Sequence, residues 1–226
     1  MTAPLHFADP REAAGLAAFL ARLIHYDRAA AVRLQAGNGV LAVFGRPPSF
    51  EVLAVRTAGL MDDEPLDVTV SAGELLDGIE ETVGKAIVPA PVTGPPWTGL
   101  LPPRGGWQEV AGLPDAAGLR SAVAAAVAEF RARDEALPDE LRTRAERERI
   151  GREIWSRTLG TTGLPLRAVH AAQSLGFLPA HESLRRLPVV LLRAGAWLRL
   201  RTPFGSVAVR TNGLGGLSVT PVRHKA

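Results

Sequence analysis

The sequence contains no cysteine, two methionines and a single tyrosine among its 226 residues. Without cysteine, the chain has no disulfide bonds, no thiolate metal ligands and no cysteine nucleophile. It also lacks an apolar run long enough to cross a bilayer, and Asp9 and Glu12 interrupt the N-terminal stretch in which a leader would lie. We therefore expect a cytoplasmic protein that does not enter a membrane.

The sequence also lacks recognisable motifs for catalysis or cofactor binding. Its five histidines show no ligand spacing, and its glycine clusters never lie between a strand and a helix. No serine lies in a nucleophile-elbow pattern, and no acidic pair has a recognisable acid–base arrangement. We expect no cofactor and no metal. An enzyme or small-ligand binder with an unrecognised pocket between the two halves of the chain is the third interpretation, after the two given below.

Charge is distributed unevenly along the chain. Residues 1–117 carry 8 basic and 14 acidic residues, whereas residues 118–226 carry 18 and 9. Halves of opposite charge attract each other, and a basic surface attracts acidic partners. The distribution indicates an internal interface, a contact between copies, or a surface for a polyanion such as nucleic acid.

Hydrophobic periodicity predicts an α+β fold built of two helix-plus-antiparallel-meander units, with helices covering the sheets. In residues 1–86, Asp9 and Pro10 begin a helix that extends to about His25, and four β-rich runs follow. Residues 117–226 contain three predicted helices and a second meander. Between the units, residues 87–116 hold seven prolines. They predict an extended strap with Trp97 and Trp107 mostly buried against the body.

An acidic helix is predicted at the end of the first unit. The segment SAGELLDGIEETVG, residues 71–84, begins with the capping box of Ser71 and Glu74. Helical spacing places Glu74, Asp77 and Glu81 on the outer face, where they form a candidate acidic contact surface.

One stretch of sequence occurs twice. FEVLAVRTAGL, residues 50–60, returns as FGSVAVRTNGL, residues 204–214, and the flanking runs VRLQAG and LDVTV have counterparts in VLLRAG and LSVTP. The shared order predicts duplication of one unit with a pseudo-twofold arrangement. The alternative is convergent use of the same hairpin chemistry.

The two copies differ in a way that suggests a contact surface. When their Ala-Gly dipeptides are aligned, Gly39, Leu41 and Val43 stand against Trp197, Arg199 and Arg201. The first strand is apolar on both faces and is predicted to be doubly buried. The second strand is predicted to turn its Trp and Arg side chains outward. Regular pairing would add Arg210 to that face.

A tryptophan flanked by arginines suits either of two partners. It can stack on bases and hold phosphates, or it can dock the acidic helix of the same chain or of a second copy. The opposite charges of the two halves favour the protein contact. We therefore expect a non-enzymatic interaction or regulatory protein that forms a homodimer or binds another protein partner.

Nucleic-acid binding through the Arg-rich C-terminal half is the alternative. Besides the sheet face, this half offers the order helix, turn, helix and hairpin from residue 150 onward, as in a winged helix. In that arrangement Arg167, His170 and Gln173 are the residues that could read bases.

Overall fold

The computed structural model describes residues 4–48, 50–179 and 188–211 of the chain. These residues form an α+β fold in which helices lie on a large antiparallel sheet. The helices are α1 (Pro10–Tyr26), α2 (Ala72–Asp77), α3 (Ala116–Glu135), α4 (Arg144–Ser156) and α5 (Leu166–Ser174). The strands of the first unit are β1 (Leu5–His6), β2 (Ala31–Gly37), β3 (Val40–Gly45), β4 (Leu53–Gly59), β5 (Leu66–Ser71), β6 (Ile79–Glu80) and β7 (Lys85–Ala86). The remaining strands are β8 (Gln108–Glu109), β9 (Val190–Ala194), β10 (Trp197–Thr202) and β11 (Gly205–Arg210).

Two similar units share the large sheet. In the first unit, β2, β3 and β4 form a meander and β5 returns to pair with β2, which gives Greek-key order. In the second unit, β9, β10 and β11 form another meander. The units join where β4 pairs with β11, and the resulting order is β5-β2-β3-β4-β11-β10-β9-β8. This order is symmetric about the central pair, so the predicted fold class is confirmed.

The main core lies between one face of the sheet and the helices. Helix α1 begins at Asp9, whose carboxylate accepts a hydrogen bond of 2.7 Å from the backbone N–H of Arg11. It packs on β4, as α5 packs on β11, and α3 packs on α5. Its Leu16 and Leu20 are fully buried, as are Leu41 on β3 and Leu198 on β10. These leucines are buried between the sheet and the helices. The face of the sheet that carries Leu41 and Leu198 is therefore the helix-facing side.

The strap covers the opposite face of the sheet. It leaves the edge at β5, where Val92 donates a backbone hydrogen bond of 2.9 Å to Thr69, and it ends at the other edge, where β8 pairs with β9. Trp97 and Trp107 are each partly buried with most of their surface covered, so the expectation that they are mostly buried is confirmed. The strap is a single extended layer with solvent on its outer side, which leaves a smaller part of each ring exposed.

The predicted acidic helix is much shorter than expected. The cap is correct, since the Ser71 hydroxyl accepts from the backbone N–H of Glu74, but α2 ends at Asp77. The backbone then forms β6, which pairs with β7, and Val83 is 63% exposed. A Cβ at Gly78 would lie 2.8 Å from the carbonyl oxygen of Ile87. Because glycine has no Cβ, the backbone at Ile87 can lie close to Gly78, and the helix ends there.

The hairpin turns correct the alignment of the two units. Gly37 pairs with Val40 across a two-residue turn, and Ala194 pairs with Trp197 across another. Trp197 therefore corresponds to Val40, Arg199 to Ala42 and Arg201 to Phe44. The expected match with Gly39, Leu41 and Val43 is wrong by one residue, because the glycine of Ala-Gly ends the strand in one unit and begins the turn in the other.

The repeated sequence is also out of structural register. Its matched alanines, Ala54 and Ala208, lie on opposite faces of the sheet: Ala54 pairs with Val207 in the core, whereas Ala208 pairs with Arg199 on the strap side. A shift of one residue exchanges the faces of a strand. The units therefore share their architecture, while the identical residues of the repeat do not occupy equivalent positions. The flanking run LSVTP lies outside the described residues.

The expectation of a doubly buried first strand is correct for most of β3. Leu41 and Val43 are fully buried on the helix-facing side, and Phe44 is only 9% exposed on the strap side. Val40, at the start of the strand, is 44% exposed. The strap therefore provides the second layer that the apolar composition of this strand requires.

Candidate functional site

The residues singled out on the second meander share the strap side of the sheet. Trp197 pairs directly with Arg210, Arg199 pairs with Ala208, and Arg201 pairs with Ser206. Cross-strand partners in an antiparallel pair point to the same face. The structure therefore places Arg210 beside Trp197, as regular pairing predicts.

Arg199 differs from its neighbours because the strap covers it. Its Nε donates a hydrogen bond of 2.8 Å to the Ser206 hydroxyl, and its guanidinium lies 5.8 Å from the centre of the Trp107 ring. Burial, followed by the positive charge of Arg201, lowers the pKa of Arg199. The prediction that Arg199 points into solvent is wrong, and its structural role is to hold the strap.

Trp197, Arg201 and Arg210 form the accessible part of this surface, which we call the basic corner. Both arginines are exposed and Trp197 is half-buried. Among the residues described by the structure, no carboxylate lies within ion-pair distance of either arginine. The corner therefore presents two positive charges beside an aromatic ring.

The arginines of α4 have a different environment. Each of the four has a carboxylate within 4.0 Å, so their charge is largely compensated locally. Glu153, on the same helix, binds Arg133 of α3 through two contacts of 2.8 Å. That hydrogen-bonded pair, reinforced by Arg157, lowers the pKa of Glu153 to about 2. Two ion pairs, Arg147 with Asp134 and Arg133 with Glu153, join α3 to α4, whereas the other three arginines of α4 pair within that helix. The basic corner has no such carboxylate partner among the described residues.

The candidate acidic residues lie at the other end of the sheet. Glu74, Asp77 and Glu81 are all exposed, and we call them the acidic corner. They do not share one helix face, because Glu81 lies in the turn after β6. Four strands separate β5 from β10, which places Glu74 and Asp77, in the helix after β5, about 24 Å away at the usual strand spacing. The turn of Glu81 lies instead beside the N-terminal segment, where Gly84 accepts a backbone hydrogen bond from Phe7. Docking of α2 on the basic corner of the same chain is therefore excluded by the fold.

One face of the helix expected to read DNA is buried. In α5, Ala168, Val169 and Ala171 are fully covered by the sheet and the neighbouring helices. His170 stacks on Trp155 with ring centres 4.4 Å apart, and Arg167 is half-buried. Of the three expected base readers, Arg167 and His170 contact other residues of the chain and Gln173 is exposed, so the winged-helix interpretation stays a prediction.

A groove between the two units was not predicted at residue level. It has a volume of about 1090 Å³ and lies where Phe50, between β3 and β4, meets α4 and α5. Trp155 and His170 lie in its wall, and Gly151 opens the surface of α4 beside them. A glycine inside a helix costs about 1 kcal/mol relative to alanine. The position of Gly151 one turn before Trp155 was the sequence signal that could have indicated this groove.

The described residues contain neither a cluster of metal ligands nor a helix that could span a membrane. Within residues 4–48, 50–179 and 188–211, no group of three His, Asp or Glu side chains is arranged to hold a metal ion. None of the helices in this part of the chain combines the length and apolar character needed to span a bilayer.

The fold and these surfaces define an α+β protein of two joined units with separate exposed basic and acidic regions. The chain belongs to the family described as a domain of unknown function, DUF8185, whose model matches residues 102–214. Residues 1–99 match a second model, the domain of unknown function DUF8010. The two matches meet within the strap, while the exact divisions after residues 86 and 116 stay a prediction.

Comparison with solved structures shows only a distant likeness. The crystal structure of the DNA polymerase sliding clamp from Pseudomonas aeruginosa has a TM-score of 0.48 and 12% identity, and the same clamp with ligand has a TM-score of 0.47 and 14% identity. Both alignments cover 92% of this chain and 64% of the clamp chain. No curated protein sequence matches this chain significantly.

Proposed function

We propose that the protein is a non-enzymatic, cytoplasmic interaction protein that forms a homodimer by pairing the basic corner of one copy with the acidic corner of the other. One observation supports this proposal above the others. Each arginine of α4 lies within 4.0 Å of a carboxylate, with Arg144 and Arg152 sharing that of Glu148, whereas Arg201 and Arg210 have no carboxylate at that distance among the described residues. The carboxylates of Glu74 and Asp77, in the helix after β5, lie too far away to pair with them within one chain.

Two copies related by a twofold axis form this contact twice. The corners lie at opposite ends of one sheet, so an antiparallel arrangement brings each basic corner against the partner's acidic corner. Trp197 adds apolar area to a contact that is otherwise charged. The association then depends on electrostatic attraction across the interface and on burial of one aromatic ring in each half of it.

Salt and charge reversal test the proposal in sedimentation experiments on the full chain. The dimer is expected to weaken as salt rises from about 0.05 to 1 M, because the screening length falls from above 10 Å to about 3 Å. Reversing Arg201→Glu and Arg210→Glu together should abolish the dimer. Adding Glu74→Arg and Glu81→Arg to the same chain should restore it, because both surfaces then carry the opposite sign.

A matched variant controls for net charge. Arg28 and Arg46 are exposed residues of the first unit, outside both corners. Arg28→Glu with Arg46→Glu changes the charge by the same amount and should leave the dimer intact. A monomer at every salt concentration, or equal loss in both double variants, would refute the pairing of the two corners.

Binding of single-stranded nucleic acid is the second candidate function. It is favoured by the position of the half-buried Trp197 directly across from Arg210, which suits stacking of a base beside a phosphate contact. Fluorescence anisotropy with a labelled oligothymidylate tests it. Arg201→Ala with Arg210→Ala should reduce the salt slope by about 1.4 if two phosphates are no longer contacted. Oligonucleotide binding without self-association would replace the first function by the second.

A further inference from the structure

A continuous row of aromatic rings leads from α1 into the groove between the two units. Tyr26 of α1 contacts Phe50 at a centre-to-centre distance of 5.7 Å, and Phe50 contacts His170 at 5.2 Å. Trp155 of α4 completes the row by stacking on His170. Trp155 and His170 remain half-buried, so this end of the row is partly open to solvent. The wall of the groove therefore offers aromatic surface from both units.

Gly151 creates a notch in that wall. A Cβ placed on Gly151 would lie 3.7 Å from Phe130 of α3 and 3.7 Å from Trp155, which are ordinary contact distances. Packing therefore leaves room for a side chain at this position, and the helical backbone needs no glycine there. Glycine in a helix interior is less favourable than alanine. The sequence keeps a space between two aromatic rings where a better helix former would fit.

Positive charge surrounds the notch. Five arginines and three glutamates line the groove. On the ridge beside Gly151, Arg144 and Arg152 share the single carboxylate of Glu148, at 2.7 Å and 4.0 Å. Their side chains are 93% and 72% exposed. One of these two charges is therefore uncompensated and accessible to an occupant of the groove.

A further donor lies at the side of the groove formed by α5. The Nε of Arg167 is buried and has no hydrogen-bond partner within the described residues. The nearest carboxylate, that of Glu51, is 3.6 Å away and belongs to a side chain that is 72% exposed. An unmatched guanidinium donor is satisfied best by a carboxylate oxygen.

We propose that this groove binds an acidic peptide segment of a partner protein, with a large apolar or aromatic side chain inserted between Phe130 and Trp155 over Gly151. The apolar notch supplies the anchor, as buried aromatic anchors do in other interfaces. Carboxylates on either side of the anchor bind Arg144 and Arg152. The volume of about 1090 Å³ is larger than a single side chain needs, so it accommodates several residues of an extended peptide.

The groove shares no residue with the basic corner, so this proposal does not depend on the proposed dimer. Its test uses the full chain and a labelled peptide in which one tryptophan is flanked on each side by three aspartates. Two control peptides replace either the tryptophan by serine or the aspartates by lysine. The acidic tryptophan peptide should bind at least about tenfold more tightly than either control.

Filling the notch provides the decisive variant. Gly151→Leu should lower affinity for the acidic tryptophan peptide by about tenfold or more, because leucine occupies the space needed by the anchor. It should not lower the thermal midpoint, since leucine favours the helix. Ala125→Leu, at an exposed position of α3 outside the groove, adds comparable bulk and should leave binding unchanged.

Three further results complete the test. Arg144→Glu with Arg152→Glu should weaken peptide binding, while Arg201→Glu with Arg210→Glu should not. The indole N–H resonance of Trp155, assigned with Trp155→Phe, should shift when the peptide binds. Equal affinity for Gly151→Leu and Ala125→Leu, or no binding by the unmodified chain up to about 1 mM peptide, would overturn the proposal.

Discussion

The guanidinium carbon of Arg199 lies 5.8 Å from the centre of the Trp107 ring, which joins the second meander to the strap that crosses it. The same guanidinium donates to Ser206 on the neighbouring strand. Arg201, two residues further along β10, points to the same face but remains exposed. Two arginines that look equivalent in the sequence therefore have different environments: Arg199 contacts the strap, whereas Arg201 is exposed.

The first prediction compares these two arginines. Arg199→Ala removes a cation–π contact worth about 0.5–2 kcal/mol and a hydrogen bond worth about 1 kcal/mol, so it should lower the free energy of unfolding measurably. Arg201→Ala should change it by no more than about 0.5 kcal/mol, as expected at an exposed position. Urea unfolding of the two variants measures the difference. Equal stability of both would show that the strap contact contributes nothing.

The second prediction concerns the other anchor of the strap. Arg33 binds Asp67 through two contacts of 2.8 and 2.9 Å and also donates to the carbonyl oxygen of Thr98 in the strap. Arg33→Ala should therefore release the strap locally and speed tryptic cleavage after the exposed Arg104. Limited proteolysis followed by mass spectrometry measures the rate at this bond. Arg28→Ala, outside the strap, is the control, and equal rates in both variants would count against anchoring by Arg33.

The third prediction follows from the contact between α3 and α4. Arg133 lowers the pKa of Glu153 to about 2 in the folded protein, whereas the pKa of a glutamate in the unfolded chain is about 4.3. The ion pair therefore stabilises the fold above the unfolded pKa, and this contribution disappears as the pH falls from about 4.3 to about 2. Glu153→Gln should be less stable than the unmodified chain at neutral pH and approach it near pH 2.

Acid unfolding followed by circular dichroism measures this convergence. Glu140→Gln, at an exposed position before α4, serves as the matched control and should follow the unmodified chain throughout. A constant difference in stability between Glu153→Gln and the unmodified chain across this pH range would mean that Glu153 stabilises the fold through packing and not through its charge.

Local patterns predicted the elements whose signals are complete within a few residues. Asp9 and Pro10 were sufficient to locate the start of α1, and alternation was sufficient to identify β10 with Leu198 on the core side. The acidic helix failed because its end depends on a distant contact. Gly78 lies against Ile87, and no local propensity reveals that approach.

The candidate site was harder to predict, because its geometry depends on pairing and on the path of the strap. Alternation along β10 placed Arg199 and Arg201 on one face correctly, but only the three-dimensional path of the strap shows that Trp107 covers one of them. The groove joins Phe50 to Trp155, residues far apart in the chain. Sequence periodicity does not reveal contacts between residues so far apart, so the residues that line the groove could not be predicted from it.

The last prediction tests the correspondence of the two units through the core. The hairpin turns match Leu41 of β3 with Leu198 of β10, and both side chains are fully buried on the helix-facing side. Leu41→Ala and Leu198→Ala should therefore each lower the free energy of unfolding by about 2–5 kcal/mol, the range found for large cavities in cores. The alignment by Ala-Gly dipeptides instead matches Leu41 with Arg199, and it predicts no such similarity. Urea unfolding of both variants, with the exposed Val40→Ala as control, decides between the alignments. A small loss for Leu198→Ala beside a large loss for Leu41→Ala would mean that the core is built mainly by the first unit and that the symmetry of the sheet does not extend to its energetics.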